Sequence, residues 1–148
     1  MSLLNISNLY AYIHKILRED KGIQLLMFNN TAPSLELAAM RIQKRSSPQN
    51  LNVNNFPLIS FYSGQGRRGD NYLEYVMPFD FDIYTKDDVE LALKIADRIN
   101  KIFENEYVGL ECDSQFRSMF VTMGEEQTDQ SNTFKFFTRI LFTLGMEE

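Results

Sequence analysis

Apolar residues at Leu9, Tyr10, Ile13, Ile16 and Leu17 recur at intervals of three and four, which lays them along one stripe of a helix predicted over residues 7–20. Gly22 is expected to interrupt it. The run Ile23, Leu25, Leu26, Met27 and Phe28 has no deciding period and reads equally as a helical turn or a strand. Residues 29–33 read as a turn, after which Ser34 can cap a helix carrying Leu35, Leu37, Ala38 and Ile42. Its basic end, Arg41, Lys44 and Arg45, suits the partial negative charge of the last helical carbonyls. Residues 46–55, with their Asn and Pro content, read as a loop.

Beyond residue 56 the period changes to two. Phe56 to Tyr62 reads as a strand with Pro57 near its start, where a missing backbone donor costs least. Leu73, Tyr75, Met77, Phe79, Phe81 and Ile83 alternate with Glu74, Asp80, Asp82 and Tyr84, the mark of a long strand with one buried face. Pro78 lies in its middle, so an edge position or a bulge is expected there. Residues 63–71 form a wide glycine-rich hairpin loop. Thr85, with Asp88 three residues later, resembles a capping box, and Val89, Ala92, Ile95, Ala96, Ile99, Ile102 and Phe103 then share one helical face. Residues 116–123 read as a third strand, 124–132 as an acidic polar loop, and 133–144 as a fourth strand. On that last strand Phe134, Phe136, Ile140, Phe142 and Leu144 oppose Lys135, Arg139 and Thr143.

The expected fold is therefore α+β, with a mixed or antiparallel sheet of about four strands in two hairpins. It packs against one long amphipathic helix, with further helices at the N-terminus. The 148 residues suit a single domain, 1–148, mainly helical through residue 45 and strand-strand-helix-strand-strand from 56 onward.

Composition narrows the function. Twelve Phe and seven Tyr without any Trp suit a β-rich core, with some aromatics left for an interface. A formal charge of -5 argues against a surface built to neutralise phosphates, and the basic clusters Arg41, Lys44, Arg45 and Arg67, Arg68 are small. No specific nucleic-acid binding is expected. Cys112 is the sole cysteine, which excludes an intrachain disulfide and a cysteine zinc cluster and makes a reduced compartment the default. No run approaches the roughly 18 apolar residues of a membrane helix, and the N-terminus lacks a basic region followed by a long apolar one. Neither export by that route nor a membrane location is expected.

Three patterns invite a chemical reading. Residues 64–69 spell G-x-G-x-x-G, which cradles a pyrophosphate only when a helix follows, and here a strand follows. The segment reads instead as an exposed, mobile hairpin tip whose Arg67 and Arg68 can meet a partner's carboxylates. Asp80, Asp82, Asp87 and Asp88 could gather around a divalent cation, but they occupy the polar side of a strand and a helix start, where solvated acids belong. His14 and Cys112 belong to no nucleophile motif and read as a helix-surface histidine and a buried structural cysteine. The expectation is a protein without catalytic residues, cofactor or metal. Its contact residues are Arg67, Arg68 and Asp70 on the first hairpin, with Glu125, Glu126 and Asp129 on the second.

The segments 56–62 (FPLISFY), 79–85 (FDFDIYT) and 89–103, followed by the closing hairpin 116–144, resemble in order and texture the small tail-terminator and head-to-tail joining proteins of long-tailed bacteriophages. The resemblance implies a mixed α+β fold that assembles into a ring, usually a hexamer, closing the tail tube or joining it to the capsid. Tail-tube and neck proteins would be its partners. It would reside in the virion, and in the host bacterial cytoplasm during assembly. An acidic surface would repel DNA passing through such a ring, and the two polar loops could reach neighbouring subunits. The competing class is a small intracellular ligand-binding or regulatory domain, with an enzyme behind it.

Overall fold

The structure, a computed structural model, describes residues 6–29, 34–49, 51, 55–69, 74–104, 106–109, 115–129 and 131–145. Helix α1 (Ile6–Glu19) buries Leu9, Ile13 and Leu17, the stripe its spacing predicts. The chain breaks at Asp20, two residues before the glycine expected to do so. The Asp20 carboxylate accepts a 2.9 Å hydrogen bond from Ile23 N and so satisfies an orphan donor of helix α2 (Lys21–Phe28). Gly22 has a different role: a Cβ there would sit 2.7 Å from Arg98 Nε, so the glycine admits the Arg98 side chain. Arg98 donates to both Asp20 oxygens, at 2.8 and 2.6 Å, tying the α1–α2 corner to a later helix. The undecided run 23–28 is thus helical. Helix α3 (Leu35–Arg41) begins at Ser34, whose Oγ accepts from Leu37 N at 3.2 Å as expected.

The remaining elements are strand β1 (Ile42–Gln43), β2 (Leu58–Ser63), β3 (Arg67–Arg68), β4 (Glu74–Thr85), helix α4 (Val89–Phe103), β5 (Glu106–Gly109), β6 (Gln115–Glu126) and β7 (Phe134–Gly145). The strands form one sheet in the order β1-β2-β4-β7-β6-β5, with β3 also paired to β4. The β1–β2 pair is parallel and the others are antiparallel. The sheet has seven strands instead of about four, because β1, β3 and β5 are two to four residues long and too short to display a period.

Strand β4 lies inside the sheet, and its register with β7 runs unbroken through Pro78↔Leu141, so neither an edge strand nor a bulge accommodates the proline. The Pro78 carbonyl accepts from Gly64 N at 2.8 Å, on the side facing away from β7. The absent donor therefore points to the gap where β2 has ended, at Ser63↔Phe79, and β3 has not begun, at Val76. The irregularity falls elsewhere, in β6 between Phe120 and Thr122.

Asp88, not Thr85, caps α4: its Oδ1 accepts from Leu91 N at 3.0 Å, while Thr85 Oγ1 donates to the Asp88 carbonyl at 2.8 Å. Helix α4 buries Ala92, Ile95, Ala96, Ile99 and Phe103 against the sheet, and the Phe103 ring lies 5.6 Å from Phe81 and 5.5 Å from Phe142. Phe61, Phe79, Phe81, Phe103 and Phe142, together with the α1 stripe, are fully buried. With Phe81 on the helix side, the two-residue period turns Asp80, Asp82 and Tyr84 toward the opposite, outer face. Phe56, Leu58, Tyr84 and Leu51 make a second small apolar cluster there. Among the described residues, no helix is long and apolar enough to cross a membrane.

Candidate functional site

The outer face of the sheet can be followed as cross-strand rows, since paired residues project to the same side. One row runs Arg67, Val76, Thr143, Arg117 over β3, β4, β7 and β6. A middle row runs Tyr62, Asp80, Arg139, Thr122, and a further row Leu58, Tyr84, Lys135, Glu126.

At the first end, the glycine-rich segment is pinned more firmly than a free loop tip. Arg67 and Arg68 form strand β3 against Val76 and Tyr75, and Gly69 N donates to Glu74 O at 3.0 Å. A Cβ at Gly66 would run into the Tyr75 ring, so here a glycine is required by close approach and not by a phosphate. Both arginines are exposed. Asp70, the third contact residue expected there, lies outside the described residues.

At the opposite end, Glu125 and Glu126 belong to β6 and not to the loop assigned to residues 124–132. Glu125 and Asp129 are exposed. Glu126 is partly engaged: its carboxylate lies 3.1 Å from Lys135 Nζ, and the same ammonium lies 3.7 Å from Asp82 Oδ2. An open cleft of about 540 Å³ separates the strand ends, lined by residues 125–129 and 133–135.

Asp82 departs from the solvated acid that alternation suggests. Its side chain is 1% exposed, and among the described residues its Oδ1 has no hydrogen-bond partner. Burial raises its pKa to about 6, outweighing the nearby Lys135 ammonium. Burial pulls Lys135 down, but the charge of Asp82 and the hydrogen bond it donates to Glu126 override that, and the lysine stays above its ordinary range. The neighbouring Tyr62 hydroxyl is pushed up by burial and by Asp82 and Asp80. In the middle row Arg139 grips Asp80 with both nitrogens, at 2.6 and 3.1 Å, and its guanidinium lies 5.7 Å from the Phe137 ring centre.

Sequence inspection finds the acids but misses Arg139, Lys135 and Tyr62 as their partners. The signal is the two-residue alternation of both strands, which is uninformative until the register of β4 on β7 is known. Asp87 and Asp88 stand apart from this cluster, at the entry to α4. Among the described residues, no three His, Cys, Asp or Glu side chains converge as metal ligands would.

His14 is half-buried and does not stand on the helix surface. Its Nε2 lies 2.9 Å from the Ile42 carbonyl, joining α1 to β1, and since a carbonyl only accepts, Nε2 carries the proton. Burial lowers its pKa, though the carbonyl opposes this. Arg41 donates to Met27 O at 3.0 Å and lies over Phe28, so the residue expected to serve its own helix end also fastens α2 to α3. Cys112 lies outside the described residues.

Taken together, the outer face holds neutralised acid–base pairs in its middle and arginines at one end, while at the other end the exposed acids Glu125, paired with Phe136 on the helix side of the sheet, and Asp129 stand at the β6–β7 hairpin. Exposed Met119, paired with Leu141, adds apolar area to the outer face, whereas exposed Met123, paired with Thr138, lies on the helix side, where Asn100 donates to its sulfur. No protein-family model matches the sequence, and no curated protein matches it. Solved structures do share its fold. A chain from the virion of the native gene transfer agent (GTA) particle superposes with a TM-score of 0.66 at 11% identity, over 97% of this chain and 99% of that one. A second solved chain superposes with a TM-score of 0.62 at 12% identity, over 99% of each. The whole chain therefore has the fold of a component of a virion-like particle.

Proposed function

We infer that this protein is a virion structural protein of a phage or prophage, acting by ring-like self-assembly as a tail terminator or head-to-tail joining protein. The observation that carries the reading is the likeness in fold to a gene transfer agent virion chain, over 97% of this chain and 99% of that one. The strand-strand-helix-strand-strand order that resembles tail-terminator proteins supports the same reading. On it, the chain does its work through protein contacts, without catalysis or cofactor. It docks on the tail tube or connector, and it resides in the virion after assembly in the host cytoplasm. Arg67, Arg68, Asp70, Glu125, Glu126 and Asp129 are the proposed contact residues.

The experiment is to purify the protein, measure its mass by mass photometry alone and with isolated tail tubes, and image the mixture by electron microscopy. A closed ring seated on tube ends is expected. A monomer that ignores the tubes would overturn the reading.

A further inference from the structure

Arg67 and Arg117 share one row near the start of β4, at opposite sides of Val76 and Thr143. Toward the far end of the same strand, Glu125 pairs with Phe136, level with Ile83, and Asp129 stands in the hairpin connection that follows β6. From Val76 to Ile83 is seven residues of strand, about 23 Å at roughly 3.3 Å each. That is several screening lengths, since fields between exposed charges fade over about 8 Å in physiological salt, so the two ends act as separate poles. Between them, Asp80 with Arg139 and Asp82 with Lys135 cancel one another and leave the middle of the face near neutral.

A protomer with opposite charge at its two ends is complementary to its own copy. We propose, resting on the ring reading above, that neighbouring protomers meet head to tail, the Arg67–Arg117 row of one docking on the Glu125–Asp129 hairpin of the next. Such a contact is heterologous: each protomer offers two different patches, and repetition of the contact generates a ring when the rotation closes. The pinned backbone of β3, held to β4 and braced by Tyr75 over Gly66, presents its arginines in a fixed place. Charge also suppresses the wrong orientation, since two like ends brought together repel.

Charge exchange tests this directly. Arg67→Glu with Arg117→Glu makes a protomer with two acidic ends, and Glu125→Lys with Asp129→Lys makes one with two basic ends. Each variant alone should give at least about tenfold fewer rings than the unmodified protein at equal concentration. Mixed one to one, they should recover closed rings in strict alternation, and only with an even number of protomers. Native mass spectrometry reads this from the mass difference, and recovery on mixing shows that both variants are folded. Assembly of either variant alone as well as the unmodified protein would overturn the proposal and leave the ring reading intact. So would two variants, folded by circular dichroism, that stay apart when mixed. An unmodified protein that forms only a two-fold dimer overturns the head-to-tail contact, and one that stays monomeric with and without tail tubes overturns the ring reading along with it.

Discussion

On the helix-covered face of the sheet, Phe61, Phe79, Phe81 and Phe142 lock together with Phe103 of α4 and the Leu9, Ile13, Leu17 stripe of α1, all fully buried. On the outer face the same strands carry Asp80, Asp82, Lys135 and Arg139, whose stabilisation depends on finding one another. The first face owes its energy to area removed from water and tolerates no missing volume. The second exchanges hydration for ion pairs, an exchange that nearly balances, and so its sequence is freer to serve recognition. One sheet thereby separates the residues that make the core from charged residues that hold one another on its outer side.

Breaking the core face should have the largest effect. Phe79 packs at 5.1 Å on Tyr10, 6.4 Å on Phe61 and 5.2 Å on Phe142. Phe79→Ala should lower unfolding free energy by about 3–5 kcal/mol, read from urea denaturation. A loss comparable to that of an exposed substitution would mean that the aromatic cluster is not the centre of stability.

The buried acid of the outer face should come next. Lys135→Met removes the cation nearest Asp82 and should cost about 3 kcal/mol at pH 8, where Asp82 is ionised, with the loss shrinking at pH 5 as the carboxyl takes up a proton. In the intact protein, Asp82 has a folded pKa of about 6, above its ordinary 3.8. The native state therefore binds this proton more tightly than the unfolded chain does. The resulting stabilisation is fully present below about pH 4 and is lost as pH rises through 6, a change of about 3 kcal/mol. Asp82→Asn keeps the group neutral throughout. Relative to the natural protein it should match at pH 4 and gain up to about 3 kcal/mol at pH 7.5, measured by chemical denaturation across pH. A pH-independent difference would show that Asp82 is not desolvated in the native state.

The smallest effect is expected on the solvent side of α4, where Lys94 and Glu90 form a 3.1 Å pair with 60% and 80% of their side chains exposed. Lys94→Ala should change stability by less than about 0.5 kcal/mol, because an exposed pair gains little over its hydration. A larger change would blur the distinction between the exposed and the buried pairs of this molecule.

Long-period features are legible in the order of residues. The three- and four-residue spacing of α1 and α4, and the two-residue alternation of β4 and β7, each repeat over a dozen or more residues, enough to declare an element and its buried face. Glu125 and Asp129 are legible as exposed acids, and Arg67 and Arg68 as exposed bases, because charge seeks water unless a partner intervenes. Short strands are not, since two or four residues hold no period, and β1, β3 and β5 exist through the partners they find.

What the amino-acid sequence alone determined is the α+β class, the main hairpins, the long helix and its apolar face. Local periodicity and capping chemistry carry that information within a few turns of chain. Tertiary structure alone decided that Pro78 sits harmlessly inside the sheet, that His14 answers to Ile42, and that Asp82 is buried beside Lys135 while Asp80 holds Arg139. Each of these depends on residues 28 to 59 positions apart, or on which side of a strand has lost its neighbour. Register and strand order are properties of the assembled sheet, and no local pattern encodes them.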